Sequence, residues 1–116
     1  MKGLLNTKVT MRISDPWELG EVLQWQAFDA EVVLASDDNL LIRLLDPFVY
    51  QGTDCEFFVA SPRHQDDHVE NLRNGQTLFC GLTRITSEQA RSDDPFNLTK
   101  WRGGIAIIGN LDPTTG

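Results

Sequence analysis

Apolar and polar residues alternate with period two in several short runs, and no long helical stripe separates them. That pattern constrains this chain more than any other feature. In residues 7–13, Val9, Met11 and Ile13 alternate with Lys8, Thr10 and Arg12, as in a strand with one buried face. Phe28, Ala30, Val32 and Leu34 alternate in the same way with Asp29, Glu31, Val33 and Ala35. Residues 40–45 are apolar except for Arg43, which predicts a central strand covered on both sides. Further strands are predicted over 55–60, 76–86 and 105–108. In the run 76–86, the alternation places Phe79 and Ile85 toward the core and leaves Leu78 for a covering helix.

The punctuation between these runs is turn chemistry. Asp37-Asp38-Asn39 closes a hairpin between the second and third strands, and Gly52 sits in a turn before the fourth. Asp46-Pro47-Phe48 breaks the third run, and Ser61-Pro62 ends the fourth because proline cannot donate to a ladder. Asp15-Pro16-Trp17-Glu18 carries the signals of a helix start. Short helices are also predicted over 66–73, lying on the surface and stopped by Asn74-Gly75, and over 87–91. Asp-Pro-aromatic recurs at 15–17, 46–48 and 94–96. The spacings are unequal, so a shared turn role accounts for it better than a structural repeat.

None of these helices is long enough for a right-handed crossover between parallel strands. The expected fold is therefore mainly β (α+β): about six mostly antiparallel strands in a small bent sheet or partial barrel, with two or three short helices. At 116 residues the chain is read as one domain, 1–116, with residues 111–116 as a frayed tail.

Charge narrows the partner classes. Seventeen acids against ten bases give a net charge of −7, which disfavours phosphate binding and hence nucleic acid. The same field steers the chain toward a basic protein. No apolar run approaches the ~18 residues of a membrane helix, and residues 1–6 turn polar too soon for a secretory signal. A cytoplasmic location follows as the expectation. Seven of the ten bases are Arg, which suits ion pairing with carboxylates. Cys55 and Cys80 lie within apolar runs and read as small buried hydrophobes rather than as a disulfide or metal pair.

Candidate chemistry is sparse. His64 and His68 are four apart and could share a helix face as metal ligands, with Asp67 beside them. Pro62 starts the helix later than His64, and Gln65 stands where a catalytic acid would be, so no metal site is expected. Ser61 with His64 and Asp66 offers the residue types of a hydrolase, but no nucleophile elbow or phosphate-cradling glycine loop accompanies them. The adjacent acids Asp37-Asp38, Asp66-Asp67 and Asp93-Asp94, with Glu70, are predicted to form an acidic loop surface, with Trp101 as an exposed aromatic at its centre. Trp17 and Trp25 lie eight apart and share a face if the first helix persists, and core anchoring is the expected role for at least two of the three tryptophans.

The first functional expectation is a non-enzymatic domain, without cofactor, that binds a basic protein; its concrete form is a bacterial immunity or antitoxin-type protein. The alternatives are a barrel that binds a small molecule or oligomer at a mouth lined by Phe57, Phe58 and Phe79, and a hydrolase centred on Ser61–His68. Residues 40–45 could also act as a strand edge that seeks a second copy.

Overall fold

The computed structural model describes residues 7–15, 27–36, 39–50, 52–63, 68–96 and 106–113. The elements in chain order are β1 (Lys8–Asp15), β2 (Ala27–Ala35), β3 (Leu40–Tyr50), β4 (Thr53–Pro62), α1 (Glu70–Arg73), β5 (Leu78–Ile85), α2 (Ser87–Ala90) and β6 (Ala106–Pro113). The six strands pair antiparallel in sequence order, and β1 pairs with β6, so the sheet closes into a barrel. Closure goes beyond the partial barrel expected from the alternation. It also pairs β3 on both sides, with β2 and β4, so residues 40–45 are not an edge open to a second copy.

One face of each strand lines the interior. Val9, Met11 and Ile13 face inward from β1, Ala30 and Val32 from β2, and Leu40, Ile42 and Leu44 from β3. Phe58 and Ala60 continue the lining on β4, Leu78, Cys80 and Leu82 on β5, and Ile107 and Leu111 on β6. A barrel of this size has room only for its own side chains. Val69 and Leu72, flanking and within α1, plug the end where β4 leaves and β5 enters. The helix therefore has a buried face, where a surface position was expected. At the other end Phe28 and Phe48 stack with ring centroids 5.0 Å apart and pack against the same core.

Three irregularities decide which side chains leave the interior. Val32 pairs with Ile42 but Leu34 with Leu41, so Val33 is an extra residue. The bulge turns Leu34 outward, contrary to the simple alternation. In the β3–β4 ladder, Arg43 pairs with Phe57 and the next pair is Phe48 with Cys55. Residues 44–47 thus face Glu56 alone. β3 passes through Pro47 without ending, because at the bulge the missing N–H costs no ladder bond. On β4 both Cys55 and Phe58 turn inward although three apart, which leaves Glu56 and Phe57 side by side on the outer wall.

Two further expectations are corrected. Phe79 and Ile85 do share a face of β5, but it is the outer one: Phe79 is 50% exposed while Leu78 is fully buried. Residues 111–113 belong to β6 and not to a frayed tail. Leu111 is buried, and the Asp112 carboxylate accepts from Arg12 Nε (3.2 Å), Thr77 Oγ1 (2.5 Å) and Asn110 Nδ2 (3.1 Å). These bonds stitch the first strand to the last at the seam of the barrel. Gly109 belongs to the same seam. A Cβ there would overlap the Arg12 carbonyl oxygen and stand 3.0 Å from Leu82 Cδ1, so only glycine allows this approach of β6 to β1.

Candidate functional site

The interior is filled by the barrel's own side chains, and the outer wall carries a groove of about 480 Å³ where the β3–β4 hairpin splays from the barrel. β4 pairs with β5 only as far as Phe57 and Ile85; beyond that point its residues pair with the end of β3 alone. The hairpin tip, turned by Gly52 at φ +79°, therefore stands away from the wall. Phe57 and Ile85 form the floor of the groove and Phe48 and Val49 its hairpin side. Val49 is 64% exposed.

Carboxylates rim this floor. Asp54 and Glu56 come from β4, and Glu88 from the first turn of α2. Arg84 is the one base among the lining residues, and its Nε donates to the Asp54 carbonyl oxygen at 2.6 Å. α2 is placed by a capping box: Thr86 Oγ1 accepts from Gln89 N–H, and Gln89 Oε1 accepts from Thr86 N–H at 2.8 Å. The end of α2 and the chain beyond it lie over the wall, where Ala90 and Phe96 pack against an outer cluster of Leu41, Phe57, Val59 and Ile85. On the outer face of residues 40–45, Leu41 is covered in this way while Leu45 stays exposed.

Next to the groove, Arg43 bridges two strands. Its Nε meets Glu56 at 2.9 Å and its Nη1 meets Glu31 at 3.3 Å, a three-member ladder across β2, β3 and β4. The bond and charge of Glu56, reinforced by Glu31, hold the Arg43 pKa above its ordinary value. A second hollow of about 370 Å³ shares Glu56 and Phe57 but is also lined by Arg43 and Arg91. Two guanidinium groups against one carboxylate leave its lining net positive, opposite in sign to the first.

The residues singled out from sequence fall as follows. Glu70 is half-buried on α1, in the β4–β5 connection, whereas Asp93 and Asp94 are exposed on the β5–β6 connection. These two connections leave opposite ends of the barrel. Asp37, Asp38, Asp66, Asp67, His64 and Trp101 lie outside the described residues, as do Trp17 and Trp25. His68 is exposed just ahead of α1. Among the described residues no three His, Cys, Asp or Glu side chains gather as metal ligands.

Ser61 donates to Asn39 Oδ1 at 2.6 Å, an amide oxygen that cannot act as a general base. Of the three aromatics expected to line a barrel mouth, only Phe58 faces inward, and it is part of the packed core. Both cysteines are buried and neither is in a disulfide; burial pushes the Cys55 thiol pKa up. The groove itself was missed in sequence. Its signals were the broken alternation at Cys55-Glu56-Phe57-Phe58 and the Thr86-x-x-Gln89 box that starts α2 at its edge.

Fold and surface together define the class: a small closed antiparallel barrel with a core of its own side chains and a grooved outer wall. No protein-family model, curated protein or solved structure matches the chain, so no family membership follows from comparison. No helix among the described residues is long and apolar enough to cross a membrane.

Proposed function

We propose that this chain is a non-enzymatic binding domain whose partner is a basic protein. The observation that carries the reading is a net charge of −7 on a barrel whose interior is filled, so contact with a partner falls to the outer surface. Steering by net charge raises association rates and sets orientation before close contact forms. A rigid closed barrel also adds little ordering cost on binding. In concrete form the domain would act as an inhibitor of the immunity or antitoxin type, covering a basic surface of a toxic protein. The Ser61–Asn39 bond and the packed position of Phe58 lend no support to a hydrolase or to a ligand in the barrel mouth.

The test is to capture the partner on the immobilised chain, identify it by mass spectrometry and follow association across a salt series. The expected partner has a net positive charge, and its association rate falls as salt screens exposed charges over a Debye length of ~8 Å at physiological strength. An acidic partner, or a rate indifferent to salt, would overturn the proposal.

A further inference from the structure

We infer that the groove between the β3–β4 hairpin and α2 takes an extended, arginine-bearing segment of the protein partner. The inference rests on the basic-partner reading above and gives it a place and a chemistry.

Its physical basis is the match between the groove and one kind of side chain. The floor at Phe57 and Ile85 is apolar and nearly closed, and Val49 on the hairpin supplies the open apolar surface beside it. The rim carries Asp54, Glu56 and Glu88 against Arg84 alone, and Arg84 Nε is engaged by a backbone carbonyl. Glu56 also serves Arg43, but that guanidinium is shared with Glu31, so the three-member ladder remains negative. An apolar floor under an acidic rim suits a long aliphatic stem with a cation at its tip. Arginine fits better than lysine, because its planar guanidinium makes paired bonds to carboxylates and lies flat on aromatic rings.

The segment is extended because the groove continues the line along which β4 and β5 part, so a strand-like chain can lie beside the hairpin. The neighbouring hollow offers a contrast. It has the same Glu56 and Phe57, but Arg43 and Arg91 line it as well, and it would repel a second guanidinium.

The experiment uses the full chain and a fluorescein-labelled heptapeptide of alternating arginine and leucine, read by fluorescence polarisation. A control peptide carries citrulline, which keeps the shape of arginine without its charge; another carries lysine. The expected order is arginine tighter than lysine, with citrulline at least tenfold weaker than arginine. The double variant Asp54→Asn with Glu88→Gln should weaken the arginine peptide at least tenfold, while Asp93→Asn with Asp94→Asn leaves it unchanged. All four positions are exposed, so the variants should melt like the parent.

Equal losses in both double variants would mean diffuse attraction and would overturn the groove. So would undiminished binding in the groove variant, or no binding of the arginine peptide. In each of these cases a basic, salt-sensitive captured partner would leave the broader reading standing. An acidic partner would remove both.

Discussion

Phe58→Ala and Phe79→Ala make the same truncation on opposite faces of the barrel wall, and the structure predicts unequal costs. Phe58 is fully buried among interior side chains, so its removal loses the transfer free energy of the ring and leaves a cavity. Such truncations cost about 3–5 kcal/mol. Phe79 is 50% exposed on the outer face of β5, where solvent refills the space it leaves. Half of the roughly 1.5–3 kcal/mol for burying a large side chain gives about 1 kcal/mol for Phe79→Ala. A domain of this size loses about 3–6 °C of melting temperature per kcal/mol. The expected drops are then roughly 10–30 °C for Phe58→Ala and about 3–6 °C for Phe79→Ala. Urea unfolding of both variants, with the denaturant slope checked against the parent, measures the difference directly. If Phe58→Ala does not fold, Phe58→Leu against Phe79→Leu keeps the comparison measurable. Equal costs, or a larger one at Phe79, would mean that β5 is shifted by one residue, since a one-residue slip exchanges the two faces.

Gly109→Ala forces a methyl group against the Arg12 backbone and Leu82; overpacking of this kind should cost about 1–3 kcal/mol by urea unfolding, and an unchanged midpoint would contradict the β1–β6 seam. Asp112→Ala removes the acceptor for three side chains and should destabilise by about 1–3 kcal/mol, whereas a frayed tail would show no effect in a thermal melt. The Cys55 thiol, raised above the ordinary ~8.5 by burial, favours the native state in its neutral form. Its contribution is full below that ordinary value and is lost as pH rises through the folded value, so unfolding free energy should decline above pH ~8.5. Cys55→Ala should flatten that part of the decline, and fast iodoacetamide labelling of Cys55 in the native parent at pH 8 would contradict the burial.

Much of the barrel was legible locally. The period-two run at 7–13, the continuous apolar run at 40–45 and the turn residues around 37–39 and 52 state strands and hairpins through side-chain direction and backbone conformation alone. The absence of a long helix between strands excluded parallel pairing on chain-reach grounds. The candidate site was far less legible, for it depends on where alternation fails. Glu56 and Phe57 share the outer wall because of a bulge, and no spacing rule announces which residue of a run will be the extra one. Asp54 and Glu88 are 34 positions apart, and they meet across one groove only because β4 and β5 pair and then part.

By itself, then, the sequence determined the class of the fold, the net charge and the two short helices of the β4–β5 and β5–β6 connections, all of which follow from interactions within a few residues or from sums over the chain; the helix start expected at 15–18 extends outside the described residues. The tertiary structure decided the closure of β1 on β6, the outward face of Phe79 and the incorporation of residues 111–113 into a strand. Those outcomes come from long-range pairing. Which of two alternating faces is buried is a property of the curvature of the whole sheet, and a strand with apolar residues on both sides, such as 78–85, carries no local instruction to choose between them.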